Sequence, residues 1–277
     1  LDLFVKRDDL IDPFISGNKL RKLEGNLMAA KDAGAAQIVT FGGAYSNHLL
    51  ASAAAAQSIN FPIIGKVRGE ELNPTSNALL LKCQELGMQL EFISRTAYQA
   101  QKLTSGLDPQ SKTWFIPEGG ANPEGIWGCQ QIYQEALIQN KNQHFDAVFI
   151  AQGTTTTSLG ILASLPQTTK LFVVPVLKGF DSRAEMQKLI SEAKNNPLTS
   201  TLHFPLQQVH FLDEYHHGGY AKTSKELIDF INFFNQTNQF PIEPTYTGKA
   251  LYALSHELPK LQPSIKNVLF IHTGGVV

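Results

Sequence analysis

"FIAQGTTTTSLG", residues 149–160, puts a glycine and four threonines where an apolar run gives way to a helical pattern. The run before it, "DAVFIA" (146–151), is apolar on consecutive positions, as expected of a parallel strand covered on both faces. A strand that ends in a glycine turn and continues as an apolar helix is the unit of an open, doubly wound sheet. Ligands in such sheets gather at the carboxyl ends of the strands. The backbone N–H groups and hydroxyls of Gly153, Thr154, Thr155, Thr156 and Thr157 at a helix N-terminus suit a phosphate dianion. The stretch has neither GxxxxGK[ST] nor GxGxxG spacing, so the nucleotide motifs do not fit. A threonine-rich cap serving structure alone is the other reading.

The same alternation extends along the chain. Strands are expected at 36–41, 61–67, 88–93, 113–117, 146–151, 170–176, 208–212 and 267–271. Helices are expected at 18–33, 46–57, 75–86, 124–140, 157–164, 181–194, 222–236 and 248–257. This βαβα order predicts one or two doubly wound parallel sheets. A closed eight-stranded barrel is the rival on strand count, and the glycine-rich turns favour open sheets. No repeat, low-complexity tract or obvious linker marks a boundary.

The 277 residues suffice for one large α/β domain or two smaller ones. With 43% hydrophobic and 17% charged residues the composition is that of an ordinary globular protein. A formal net charge of -1 supplies no basic excess for nucleic acid or an anionic membrane. Two cysteines, Cys83 and Cys129, without a CxxC spacing support neither a zinc site nor a disulfide framework, and make a reducing cytoplasm the simplest setting. No apolar run approaches the roughly 20 residues of a spanning helix, and no signal peptide is recognisable. The start at Leu1 and the end "NVLFIHTGGVV" read as clipped.

Three further turns carry chemistry. "SGNKLRKLE" (16–24) crowds Lys19, Arg21 and Lys22 behind a Ser-Gly pair. On a helix starting near Asn18, Lys19 and Lys22 share a face, while Arg21 and Glu24 are spaced to pair on the surface. A solvated charged face is the plain alternative. Ser16, Gly17 and Asn18 look like a helix start, and an amine there has its pKa lowered by neighbouring positive charge and burial, which makes it a nucleophile near neutral pH. "TFGGAYSNH" (40–48) runs from a strand end through Gly42 and Gly43 to Ser46 and Asn47, both suited to N-capping; a capped turn without ligand is equally consistent. "EPTYTGKAL" (243–251) presents Tyr246 and Thr247 ahead of a helix. In "HTGG" (272–275) a satisfied structural histidine is expected, and "HHGG" (216–219) lacks the carboxylate or cysteine partners of a metal site.

A reactive lysine, an anion cradle and polar groups at several strand ends together suggest pyridoxal phosphate, which needs an amine, a phosphate site and a partner for its ring nitrogen. "KRDDL" (6–10), "SGNKLRKLE", "GGAYSNH" (42–48), "IPEGGANPEG" (116–125), "YTGKAL" (246–251) and "HTGG" appear in the order of a known family's signatures. On these the chain resembles the ACC deaminase/D-cysteine desulfhydrase family (ACC, 1-aminocyclopropane-1-carboxylate), within the tryptophan-synthase-β-like, fold type II enzymes. The resemblance implies that Lys19 bonds the cofactor and shuttles the Cα proton. It makes Asn18 and Lys22 phosphate-side contacts together with Gly153, Thr154, Thr155, Thr156 and Thr157, and leaves Arg21 structural. Asn47 would bond the cofactor's phenolic oxygen, Ser46 would lie near the substrate carboxylate, and Tyr246 would lie above the reacting carbons. Thr247 would face the ring nitrogen, where ACC deaminases of the family carry glutamate and the desulfhydrases threonine. A neutral hydroxyl is the weaker support for the electron sink, which suffices when thiolate departs. Ala44, Tyr45, His48, Leu49 and Leu50, the threonine-rich loop and "HHGGYAK" (216–222) depart from the family pattern.

The expected architecture is therefore two open twisted parallel-sheet domains with helices on both faces and pyridoxal phosphate in the cleft between them. The resemblance sets the smaller domain at 34–131 and the larger at 1–33 with 132–277. The expected reaction is deaminating β-elimination on a small amino acid, D-cysteine giving pyruvate, sulfide and ammonia. ACC deaminase, a D- or L-amino-acid dehydratase, a non-catalytic cofactor-binding protein and a generic nucleotide binder are the alternatives. The resemblance implies a homodimer, while the cysteine usage points to the cytoplasm and no residue set points to a metal.

Overall fold

The computed structural model describes residues 1–12, 15 and 17–274. Ten strands form among them: β1 (Asp2–Arg7), β2 (Gln37–Gly43), β3 (Ile63–Arg68), β4 (Gln89–Ile93), β5 (Gly106–Asp108), β6 (Thr113–Ile116), β7 (Ala147–Gln152), β8 (Lys170–Pro175), β9 (Val209–Phe211) and β10 (Asn267–His272). The helices are α1 (Asn18–Asp32), α2 (Asn47–Ser58), α3 (Ala78–Glu85), α4 (Arg95–Gln101), α5 (Pro123–Gln139), α6 (Thr156–Leu162), α7 (Ser182–Lys194), α8 (Lys225–Thr237) and α9 (Thr247–Glu257). All eight expected strands and all eight expected helices are present, with ends shifted by a few residues. β1, β5 and α4 were not expected. β1 and β5 are edge strands too polar or too short to show an apolar run, and α4 is a seven-residue helix capped by Ser94.

The strands make two five-stranded sheets, in the orders β1-β10-β7-β8-β9 and β4-β3-β2-β6-β5. Every pairing is parallel except β5 with β6. Both sheets keep free edges, which excludes the closed barrel. β7, whose six residues are all buried, lies between β10 and β8, so strand order reverses at its carboxyl end. β2 lies between β3 and β6 and is the reversal point of the other sheet. Such reversals open a crevice between adjoining loops. The two crevices fall at the threonine-rich loop and at the Ala44–Tyr45 turn that follows Gly43.

Helices cover both faces. α5, α6 and α7 pack on one side of the β7 sheet through Ile132, Leu159 and Met186, and α8 and α9 pack on the other through Leu227 and Leu251. α1, α2 and α3 cover the β2 sheet through Leu23, Leu49 and Leu80, while Tyr98 of α4 closes its other face. α1 and α5 touch backbone to backbone: a Cβ on Gly128 would lie 1.9 Å from the Arg21 carbonyl oxygen, and one on Gly25 would lie 2.0 Å from that of Glu124. No helix among the described residues is long and apolar enough to cross a membrane.

Candidate active site

The first turn of α1 is fixed from below. Gly17 has φ +68°, and a Cβ there would sit 1.8 Å from the Thr273 carbonyl oxygen, so only glycine fits. Its N–H donates to the Asp8 carbonyl at 2.8 Å, and the Asn18 N–H donates to Thr273 at 3.3 Å. Gly17 occupies the cap position and no side chain caps the helix; Ser16 lies outside the described residues. α1 starts at Asn18, as expected, but the Asn18 side chain is not used as a cap. Its amide instead donates to the Thr157 hydroxyl at 2.9 Å, 139 residues away.

Arg21 is buried, and its expected pairing with Glu24 survives only as a long ion pair. It bonds the Glu135 carboxylate and, at 3.2 Å, the Gln131 amide, while Glu24 is 3.9 Å away. Lys6 bonds Asp8 at 2.6 Å and Glu135 at 3.0 Å in the same cluster. These charges tie β1, α1 and α5 together. Removing one member would strand a buried opposite charge, which is why such clusters fix geometry.

The other two cations of the stretch face the site. Lys22 is 5% exposed, and its ammonium donates to the Thr154 hydroxyl at 3.1 Å and the Gly119 carbonyl at 3.2 Å. Its pKa is pushed down to about 8, chiefly by burial; Cys129 acts upward and Lys19 downward. Lys19 keeps part of its surface open, yet protein surrounds its amine closely enough for burial to lower its pKa, with Glu243 partly opposing. Burial, not neighbouring positive charge, is thus the main cause.

Where β7 passes into α6, the hydroxyls of Thr155, Thr156 and Ser158 and the side-chain amide of Gln152 are buried without a protein partner. A buried polar group left unmatched costs about 1–3 kcal/mol. With Lys22 on the neighbouring Thr154, the unmatched hydroxyls of this loop suit an oxyanion such as phosphate. α6 has only seven residues, so the hydroxyls and Lys22, rather than a long helix dipole, supply the cradle.

At the end of β2, Ser46 holds the cap position of α2 without a side-chain cap bond, and Asn47 is exposed. Neither is hydrogen-bonded to the other expected site residues among the described residues. The next residue, His48, makes the link. It is buried, and a Cβ on Gly120 would lie 3.8 Å from its ring and 3.2 Å from Lys22 Cβ. The Thr40 hydroxyl donates to the Ile116 carbonyl at 3.0 Å, so His48 Nε2 carries the proton and donates to Thr40 at 2.9 Å. Burial, then Lys22 and Lys19, lower the His48 pKa to about 3, so the ring stays neutral.

The fourth turn closes the site. The Tyr246 ring lies against the threonine loop, where a Cβ on Gly153 would be 3.0 Å from Tyr246 Cε1. Burial raises its pKa, and Tyr220 adds to the rise through charge and a side-chain hydrogen bond. The Tyr220 ring meets it edge-on, with centroids 6.0 Å apart. Thr247 is fully buried. Its hydroxyl accepts from the Glu243 N–H at 3.1 Å and donates to the Glu243 carboxylate at 3.3 Å. That carboxylate also accepts the N–H groups of Thr245, Tyr246 and Thr247 at 2.6, 2.7 and 2.8 Å.

Sequence reading passed over Glu243, Tyr220 and His48. Glu243 and His48 lay inside stretches already singled out; Tyr220 lay in the "HHGGYAK" segment, which fits no family pattern. In that segment His216 accepts from the Gly218 N–H and His217 bonds Ser224. His272 donates to the Pro241 carbonyl at 2.8 Å and lies 3.2 Å from the Asp9 carboxylate, a structural role; Gly275 lies outside the described residues. Among the described residues no group of three or more His, Cys, Asp or Glu is arranged to hold a metal ion.

A family model described as "Pyridoxal-phosphate dependent enzyme" matches residues 1–274. A putative 1-aminocyclopropane-1-carboxylate deaminase of Pyrococcus furiosus is 30% identical over 286 residues, covering 99% of this chain and 85% of the relative. D-cysteine desulfhydrase of Yersinia pestis is 29% identical over 287 residues, covering 99% and 86%. A crystal structure of an ACC deaminase homologue superimposes with a TM-score of 0.79 at 27% identity, over 99% of this chain and 85% of that one.

Proposed function

The chain belongs to the ACC deaminase/D-cysteine desulfhydrase family of pyridoxal-phosphate dependent enzymes, and on that premise we propose that it eliminates the β-substituent of D-cysteine. The observation that carries the reading is the pair of lysines in one helical turn. Lys19 has a lowered amine pKa, and Lys22 stands buried on Thr154, in the segment that carries the partnerless hydroxyls. That donor set fits the cofactor. Asn18, Lys22 and the 153–157 loop would hold its phosphate, Lys19 would bond it, and Asn47 and Thr247 would contact its ring. When bound, pyridoxal phosphate supplies the electron sink that stabilises charge left on Cα.

The chain's residues do the rest. Ser46, at the α2 start, would orient the substrate carboxylate. Lys19, as a free amine, would take the Cα proton; its lowered pKa raises the fraction able to do so near neutral pH. Tyr246, held against Gly153 and Tyr220, would cover the reacting carbons and keep water out while the thiolate leaves. Pyruvate and ammonia follow by hydrolysis.

ACC deamination is the second reading, and Glu243 favours it. Thr247 is neutral, but a carboxylate stands one hydroxyl behind it, so the electron sink is not without negative support. We also read the chain as a cytoplasmic homodimer with domains at 34–131 and at 1–33 plus 132–277. The β2 and β7 sheets support that division, although α1 packs on both sides of it.

The deciding experiment is product analysis of the cofactor-loaded enzyme with D-cysteine, L-cysteine and ACC in parallel. The expected result is sulfide and pyruvate from D-cysteine with ACC untouched. α-Ketobutyrate from ACC would overturn the choice and promote the second reading.

A further inference from the structure

Lys249, in the first turn of α9, is 0% exposed. Its ammonium donates to the Gly219 carbonyl at 2.7 Å; among the described residues no carboxylate lies within ion-pair distance, and Glu243 acts on it only from further off. An unpaired buried ammonium is costly, and a leucine or methionine would fill the space at less cost. Among the described residues the one hydrogen bond of this ammonium is to a loop of unusual backbone. His217, Gly218, Gly219 and Ala221 have φ of 48°, 95°, 113° and 54°, so four of five consecutive residues lie on the left-handed side. Local preference does not hold such a loop; surrounding contacts must. Gly219 is buried, and a Cβ there would meet Lys178 at 3.0 Å. The next residue, Tyr220, is 57% exposed and reaches back to the Tyr246 ring. α9 therefore offers Tyr246 and Thr247 at its start and, from the same turn, the cation that pins the loop across from them.

We propose that Lys249 is a positioning residue: it holds the 217–221 loop at the Gly219 carbonyl and so keeps Tyr220 against Tyr246 over the reacting carbons. The catalytic part of this rests on the lyase reading; the loop-holding part does not. Lys249→Met keeps the side-chain volume and removes the donor. In the holoenzyme, amide hydrogen exchange in segment 216–222 should speed up at least about tenfold, while peptides of α9 and β10 stay within about twofold of wild type. The cofactor's visible absorbance should be retained, and kcat should fall more than about tenfold with a smaller change in KM. Tyr220→Ala added to Lys249→Met should cost little beyond the larger single loss, because both act through one contact. Unchanged exchange in 216–222, or losses that multiply independently, would overturn the proposal. If Lys249→Met does not fold, Lys249→Gln is judged by the same two readouts. An enzyme inactive on D-cysteine but showing the selective exchange would refute the lyase reading and leave the loop anchor standing.

Discussion

Replacing Lys22 by methionine separates anion binding from stability. The ammonium is 5% exposed and bonds Thr154 and Gly119, so the variant keeps the packed stem and loses the charge. Hydrogen bonds to charged groups are worth about 1.5–3 kcal/mol, and with about 1.4 kcal/mol per tenfold, the apoprotein should bind a phosphate monoester roughly 10- to 150-fold more weakly. The pH dependence is a second signature. With the Lys22 pKa pushed down to about 8, binding a dianion at higher pH requires proton uptake. Wild-type affinity for methyl phosphate should therefore drop about tenfold per pH unit above pH 8, and the variant's profile should be flatter, its remaining slope reporting Lys19.

Stability should move the other way. A lysine whose folded pKa lies below its unfolded value of 10.5 penalises the fold fully below about pH 8, and the penalty fades as pH rises to 10.5. That window corresponds to about 3 kcal/mol at about 1.4 kcal/mol per pH unit. Apo Lys22→Met should thus be at least as stable as wild type at pH 7 in urea, and should lack the gain in stability between pH 8 and 10.5. Calorimetric titration with methyl phosphate at pH 7.5–9.5 tests the binding half. Affinity within threefold of wild type would refute the assignment of Lys22 as the anion clamp.

Two further outcomes follow from α1. Lys19→Ala should abolish the visible absorbance of the reconstituted enzyme while methyl phosphate binding to the apoprotein persists, and a retained band would show that another amine holds the cofactor. Gly128→Ala forces a Cβ to within 1.9 Å of the Arg21 carbonyl, so α1 must move away from α5. Overpacking of this kind costs about 1–3 kcal/mol, and urea unfolding should show a loss near the upper end together with weaker phosphate binding, because Lys19 and Lys22 ride on the displaced helix. Wild-type stability would show that the helices separate freely.

Most of the frame was legible before folding. Apolar runs at 146–151 and 267–271 are long enough to show burial on both faces, and the glycine turns after β2 and β7 mark strand ends without a partner in view. β1, β5 and α4 were hidden because an edge strand or a single capped turn carries no periodic pattern. Within the site, Lys19, Lys22, Tyr246 and Thr247 stood out by residue type and motif. Their partners did not. For Arg21 the sequence shows its i,i+3 neighbour Glu24, a long ion pair in the fold, and not the stronger partner Glu135, 114 residues away.

The sequence by itself determined the alternation of strands and helices, the turns at which a ligand can approach, and the crowding of three cations behind Gly17, since each depends on residues adjacent along the chain. Tertiary structure alone decided which cation meets the threonine loop and which braces the helices. It did so by bringing Thr154 to Lys22, Thr157 to Asn18 and Glu135 to Arg21. It likewise set Glu243 behind Thr247 and Gly219 on Lys249. A charge's role depends on what it meets once water is excluded, and only the packed chain specifies that neighbour.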